Sequence, residues 1–179
     1  MAAGEIHGCE LHAGGAALKF TISNLRQNST FMPVVANRIW KAWWEPDGHP
    51  FSEVQTGIDE IVTSAKFPFC LVAHQDSKYV GSVLGISSDL DERPNLTPWV
   101  AALWVEPEFR RQGVAVALVK EALAELFATC HEAAYLCATA EKRGMYQNQG
   151  WQLIEEKVGE EALDVFEIMT PKLKERIFS

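Results

Sequence analysis

Residues 99–105, Trp-Val-Ala-Ala-Leu-Trp-Val, are apolar without interruption, and Glu-Pro-Glu-Phe-Arg-Arg-Gln-Gly follows at once. A strand alternates its side chains between two faces, so a run that is apolar at every position has no face to give to water. It is also too short for a buried helix. The run therefore reads as a central strand covered on both faces, which commits the chain to layers of helix on either side of a sheet.

The rest of the chain supplies those layers. Hydrophobic residues make up 47% of the 179 residues, enough for a packed core in one domain. Residues 1–16 are rich in Gly and Ala and show no period, so they read as a loose lead-in to a single domain over 17–179. "ALKFTISNL" reads as a first strand. Residues 31–44 place Val35, Ile39 and Trp43 at helical spacing. "EPDGHP" breaks that helix, and residues 51–65 form a second one with Ser52 as its expected N-cap. "FPFCLVAH" and "KYVGSVLGI" form a hairpin around "QDSK".

After the central strand, residues 111–128 carry two apolar rows: Val114, Leu118, Ala122 and Leu126, then Val119, Leu123 and Phe127. "AAYLCAT" is a further strand. "EKRGMYQNQ" is a short helix closed by Gly150, and "WQLIEEKV" and "ALDVFEIM" make a last hairpin. The order is β-α-α-β-β-β-α-β-α-β-β, an α/β (α+β) layout with about seven strands in one mixed sheet.

Charge and cysteines narrow the function. Against 16 basic residues stand 24 acidic ones, a formal charge of −8, which lacks the basic footprint of a nucleic-acid binder. An acidic surface suits solubility or a cationic small molecule. Cys9, Cys70, Cys130 and Cys137 form no CxxC pair, and three fall in or beside apolar runs, so a reducing, cytoplasmic setting is expected. Cys9 between His7 and His12 offers too few ligands at zinc spacing, so no metal is expected. No secretion signal is evident, and no apolar run reaches the ~18 residues that span a bilayer, so no membrane partner is expected.

The junction after the central strand carries the chemistry. A helix N-terminus presents unpaired N–H groups and about half a positive charge, and it binds phosphate when no side chain blocks the approach. Gly113 removes the block, Ala115 keeps the next exposed position small, and Arg110 and Arg111 add charged donors. The string is neither a Walker loop nor a dinucleotide GxGxxG. Taken alone, it fits an ordinary helix start with two solvated arginines equally well.

The wider sequence favours the phosphate reading. Arg110-x-x-Gly113-x-Ala115, preceded by "LWVEPEF", resembles the acetyl-CoA-binding signature of the GNAT superfamily of acyltransferases, (Gln/Arg)-x-x-Gly-x-(Gly/Ala), placed between that fold's fourth strand and third helix. "MYQNQGW" resembles the family's second landmark, Tyr-x-x-x-Gly-(Phe/Trp). The element order resembles the family from about residue 17 to 170. "RPNLTPWVAALWVEPEFRRQGVA" looks like a bacterial branch of small-molecule acetyltransferases.

The resemblance implies a GNAT-like, mostly antiparallel central sheet with helices on both faces and its fourth and fifth strands splayed. It implies that Arg110, Arg111, Gln112, Gly113, Val114 and Ala115 hold the CoA pyrophosphate, and that Leu103, Trp104 and Val105 pair by backbone with the pantetheine arm. Tyr146 falls at the position that donates a proton to the departing thiolate. A structural role, packing the last helix, is the alternative. Thr139 stands where many members carry a pantetheine-binding Asn, a departure from the pattern.

The implied activity is acetyl transfer from acetyl-CoA to a primary amine of a small molecule, directly in a ternary complex. A protein or peptide N-acetyltransferase and a non-catalytic acyl-CoA-binding sensor are the alternatives. For a base, the candidates are loop acids: Asp89, Asp91 and Glu92, or Glu45 and Asp47, each readable as a solvated acid. Trp40, Trp43 and Trp44 can stack on an acceptor or cover the sheet as core, and at least one is expected to be core. His74 reads as a strand-end residue, and Cys137 reads as core because no base partner is apparent. The hairpin edges allow a homodimer without requiring one.

Overall fold

In the computed structural model, residues 7–10, 19–129, 131–171, 173 and 175 are described. Cys130 and His12 lie outside them, as do the side chains of His7 and Cys9. The chain folds as β1 (His7–Glu10), β2 (Lys19–Asn24), α1 (Met32–Ile39), α2 (Phe51–Thr63), β3 (Phe69–Gln75), β4 (Lys78–Ile86), β5 (Trp99–Val105), α3 (Val114–Ala128), β6 (Ala133–Ala138), α4 (Arg143–Gln147), β7 (Gln152–Val158) and β8 (Leu163–Met169). The sheet is mixed and mostly antiparallel, as expected. It has one strand more than the expected seven, because His7–Glu10 of the anticipated lead-in pairs antiparallel with β2. The central strand is therefore β5 and its parallel partner β6.

Two compact units divide the chain. The first holds residues up to Leu84 and from Ala102 to Lys120, the second Gly85–Ala101 and everything from Glu121. In the first, β1, β2, β3, β4 and the end of β5 are neighbours in that order. The turn between β3 and β4 has two residues, Asp76 and Ser77, with Asp76 in the left-handed region at φ 49°. So short a loop joins only antiparallel strands. In the second, the start of β5 is followed by β6, β8 and β7.

The parallel pairing of β5 with β6 is confined to Trp99↔Tyr135, and the Tyr135 N–H donates to the Pro98 carbonyl at 2.9 Å. The ladder stops there, as the splay implied by the family resemblance requires. Ala102, mid-strand, holds φ 47°, a left-handed conformation that a non-glycine residue adopts uncommonly.

Burial follows the patterning. Val114, Leu118, Ala122 and Leu126 line the buried row of α3. Trp99 is completely buried, with Leu90, Val158 and Val165 packed in the same cluster and its indole N–H donated to the Leu96 carbonyl.

Two expectations fail locally. Ser52 does not cap α2: the helix starts two residues earlier than that cap implies, with extended Pro50 (ψ 144°) at the cap position and no side-chain cap. The second concerns residues 31–44, whose spacing implies one helix. After Ile39 the chain makes a π-helical turn over Trp40–Trp44, with the Glu45 N–H bonded to the Trp40 carbonyl at 2.8 Å and the His49 N–H to that of Trp44 at 3.0 Å. The five-residue step carries Trp43 out of the row that buries Val35 and Ile39.

Candidate active site

In the first unit, a 3₁₀ turn at Pro107–Phe109 ends β5, and the next residues alternate in hand: Arg111 at φ 59° and Gly113 at φ 81° bracket Gln112. Alternation of right- and left-handed residues turns successive backbone N–H groups toward one side and can form an anion-binding concavity. The Gly113 carbonyl accepts the first α3 bond, from the Ala117 N–H at 3.0 Å. The N–H groups before it lie in the unpaired first turn of a fifteen-residue helix. Val114 is buried and Ala115 half-buried, whereas Arg111 and Gln112 are exposed. Residues 110–115 thus combine two left-handed residues with an open helix start.

Arg110 does something the sequence did not reveal. Its Nε donates to the Val105 carbonyl at 2.9 Å, and its guanidinium lies 5.0 Å from the centre of the Trp104 ring. Trp43 meets the same indole edge-on, with centroids 6.3 Å apart. Trp104 thus ties the end of β5 both to Arg110 and to the π-helical turn, and its buried Nε1 has no hydrogen-bond partner among the described residues. A further constraint comes from β4. A Cβ on Gly81 would stand 2.6 Å from the Trp104 carbonyl oxygen, so only glycine lets β5 run this close.

None of the three helix tryptophans is core: Trp43 and Trp44 are exposed, and Trp40 is half-buried with its Nε1 donating to the His49 carbonyl. Glu45 and Asp47 are exposed loop acids just beyond them. His74 is hydrogen-bonded to Ser23 Oγ at 3.1 Å and to the Asp76 carbonyl at 2.9 Å, which fits the strand-end reading.

In the second unit, Tyr146 occupies the last turn of α4. The helix ends in a Schellman motif: the Trp151 N–H bonds to the Tyr146 carbonyl at 3.2 Å and the Gly150 N–H to that of Gln147 at 3.0 Å, with Gly150 at φ 88°. Trp151 also packs edge-on against Tyr146, 6.3 Å between centroids. The Tyr-x-x-x-Gly-Trp spacing is thus the spacing of this cap, with the glycine at the left-handed position. Phe166 of β8 packs on the other side of the Tyr146 ring, which is 7% exposed. Burial, reinforced by Cys137 and Asp89, pushes the phenol up to about 12.

Arg143, the first residue of α4, anchors that helix to the last hairpin. Its Nε donates to Oδ2 of the fully buried Asp164 at 2.9 Å and its Nη2 to Glu156 at 2.7 Å. No local pattern marks this pair, because residues 143 and 164 meet only through the hairpin fold.

Cys137 is half-buried rather than core, and it has a partner: its Sγ donates to Asp89 Oδ2 at 3.3 Å. The partner is an acid, so the reading of Cys137 as no nucleophile stands. Burial and then the Asp89 carboxylate raise the thiol well above its usual range. Asp89 as a whole is an exposed loop residue, and burial of its carboxyl group raises its pKa, with Cys137 opposing and Glu161 adding. Asp91 and Glu92 are exposed, and Glu92 packs against Gly159. Thr139 is exposed at the end of β6, where its carbonyl accepts the Lys142 N–H and its hydroxyl makes no cap bond.

Residues 67–153 match the family model of the acetyltransferase (GNAT) domain. Over that stretch, just under half of its length, the chain is similar to an acetyltransferase domain of the GNAT kind. The fold is shared with solved structures at low identity. An aminoglycoside 6'-N-acetyltransferase complexed with coenzyme A is 12% identical, with a TM-score of 0.66 over 83% of this chain and 96% of that one. The spermidine/spermine N-acetyltransferase SpeG of Vibrio cholerae is 15% identical, with a TM-score of 0.62 over 88% and 98%. AAC(6')-Iy bound to a bisubstrate analogue, CoA-S-monomethyl-acetylneamine, is 18% identical, with a TM-score of 0.62 over 76% and 92%. No curated protein matches the chain in sequence. Among the described residues, no helix is long and apolar enough to cross a membrane.

Proposed function

We propose that this GNAT-like domain moves an acetyl group from acetyl-CoA to a primary amine of a small molecule, by direct transfer in a ternary complex. The observation that carries the reading is the cradle at the start of α3, where left-handed Arg111 and Gly113 leave the first-turn N–H groups open beside two arginines. Those N–H groups would hold the CoA pyrophosphate, with Arg111 as the exposed cation and Arg110 fixing the loop to β5. The backbone of Leu103–Val105 would pair with the pantetheine arm, with Gly81 keeping that edge in place. Thr139, its hydroxyl free of any cap bond, would stand in for the usual Asn. No metal enters this reading.

In the second unit, Tyr146 is the proposed proton donor. Direct transfer expels a thiolate whose pKa is roughly 8.5 by analogy with a cysteine. With its own pKa near 12, the phenol stays protonated throughout the neutral range and acts first as a hydrogen-bond donor to the developing negative charge. A small-molecule amine is favoured by the relatives bearing aminoglycoside and spermidine/spermine names, and by the exposed Trp43 and Trp44 beside Glu45 and Asp47, groups suited to a cation.

The test is thiol release from acetyl-CoA, followed with a thiol-reactive dye, against polyamines, aminoglycosides, amino acids and basic peptides. Release with one small-amine class, reduced about 10²-fold in Tyr146→Phe, is expected. Release with basic peptides alone would favour protein acetylation. CoA binding without release from any amine would favour a sensor module.

A further inference from the structure

We propose that Arg110 is a specificity-determining latch on the edge of β5: its side chain holds the Val105 carbonyl until a phosphate group draws it off, so a pantetheine thioester that lacks the pyrophosphate meets a blocked edge. The inference rests on the reading of residues 110–115 and Leu103–Val105 as a CoA site, and its argument lies wholly within the first unit.

One hydrogen bond sets the direction of the Val105 carbonyl. The Glu106 N–H donates to the Val80 carbonyl of β4 at 2.9 Å. The N–H and C=O of a planar trans peptide point in opposite directions, and the Val105–Glu106 bond is trans, so the Val105 carbonyl points away from β4. That is the edge of β5 along which the pantetheine arm would pair. The acceptor there is already engaged. Arg110 Nε donates to it at 2.9 Å, and the guanidinium lies 5.0 Å from the centre of the Trp104 ring. A carbonyl oxygen has two lone pairs, but a planar guanidinium on that oxygen also occupies the edge itself. The arm and the Arg110 side chain therefore compete for one place.

The latch is built to open toward an anion. Both acids that flank Arg110 are held elsewhere: Glu106 is paired with Arg38 of α1, and Glu108 with Lys78 of β4. Among the described residues Arg110 has no carboxylate partner, and its Nη1 and Nη2 make no hydrogen bond. The side chain is exposed, and a cation–π contact at an exposed site is weak. A phosphate accepts charge-assisted, two-pronged bonds from a guanidinium, which are stronger than one bond to a neutral carbonyl. A phosphate at the start of α3 would thus take Arg110 from Val105 and open the edge. The contact that fixes the loop to β5 is also the one a ligand must break. CoA carries the group that breaks it, and pantetheine does not.

The experiment titrates the intact protein by calorimetry with CoA, with pantetheine, and with pantetheine in saturating inorganic pyrophosphate. It uses the wild type and Arg110→Ala, with melting temperatures alongside. In the wild type, pyrophosphate is expected to tighten pantetheine binding about 3–10-fold, the net worth of the hydrogen bond it removes. Arg110→Ala is expected to bind pantetheine about 3–10-fold more tightly than the wild type, to gain nothing further from pyrophosphate, and to bind CoA more weakly. A side chain that merely braces the loop would leave Arg110→Ala weaker toward both ligands, and that result overturns the latch. Pantetheine affinity that is unchanged or undetectable in Arg110→Ala, or unmoved by pyrophosphate in the wild type, overturns it too. Those failures leave the CoA reading standing wherever the wild type binds CoA more tightly than pantetheine. Equal wild-type affinity for CoA and pantetheine overturns the CoA reading and this inference with it.

Discussion

Replacing Gly81 with Ala tests whether β4 sets the position of the β5 edge. The added Cβ would lie 2.6 Å from the Trp104 carbonyl oxygen and 3.3 Å from both Cα and Cγ2 of Val105. Carbon-to-carbonyl contacts between strands settle at about 3.3–3.6 Å, so the oxygen is roughly 0.7–1 Å too near. The colliding atom is backbone, so no side chain can rotate away and β5 itself must move. Overpacking of this kind costs about 1–3 kcal/mol. For a chain of this size, ~2 kcal/mol corresponds to a melting point lower by about 4–8 °C. Because Leu103–Val105 moves, CoA affinity should fall with stability. Gly57 is the control. It lies inside α2 with nothing within 4 Å of an added Cβ. Ala there should stabilise by about 0.5–1 kcal/mol and leave CoA binding alone. Thermal and urea unfolding with CoA titration reads both. A Gly81→Ala protein that melts and binds CoA like the wild type would refute the reasoning.

Gly150→Ala meets no steric obstacle, so its cost is backbone strain at φ 88° alone. About 1–2 kcal/mol is expected in urea unfolding, with a loss of activity because Tyr146 belongs to the same cap. Alkaline stability should depend on the tyrosines. Tyr146 and Tyr135 are both raised from 10.0 to about 12, so the folded state favours their protonated forms. That contribution is fully present below pH 10.0 and is lost as pH rises through about 12. Tyr146→Phe should lose less stability than the wild type over that window, and equal losses would contradict the assigned burial.

The architecture was legible where periodicity and length agree. The apolar run of β5, the two rows of α3 and the glycine after α4 each carry one physical meaning, and each stands where its pattern implies. The left-handed turn at the start of α3 was legible for the same reason: glycine at a strand-to-helix junction expresses a local backbone requirement. What escaped depended on contacts between distant residues or on a break in the helical step. Cys137 reads as core until the loop bearing Asp89 folds against it, forty-eight residues away in sequence. Arg143 and Asp164 meet only through the β7–β8 hairpin. The tryptophans of Trp40–Trp44 sit at α-helical spacing, and nothing in their order announces the π-helical turn that exposes Trp43 and Trp44. β1 was missed because a four-residue strand inside a Gly/Ala-rich stretch is too short to show a period.

The most direct test of the account is a pair of calorimetric titrations of the intact protein, one with CoA and one with pantetheine, which lacks the pyrophosphate and the adenosine. If the start of α3 is a phosphate cradle, CoA binds far more tightly than pantetheine, and the difference shrinks as salt is added. Equal affinity for the two, or no binding of CoA, would contradict it.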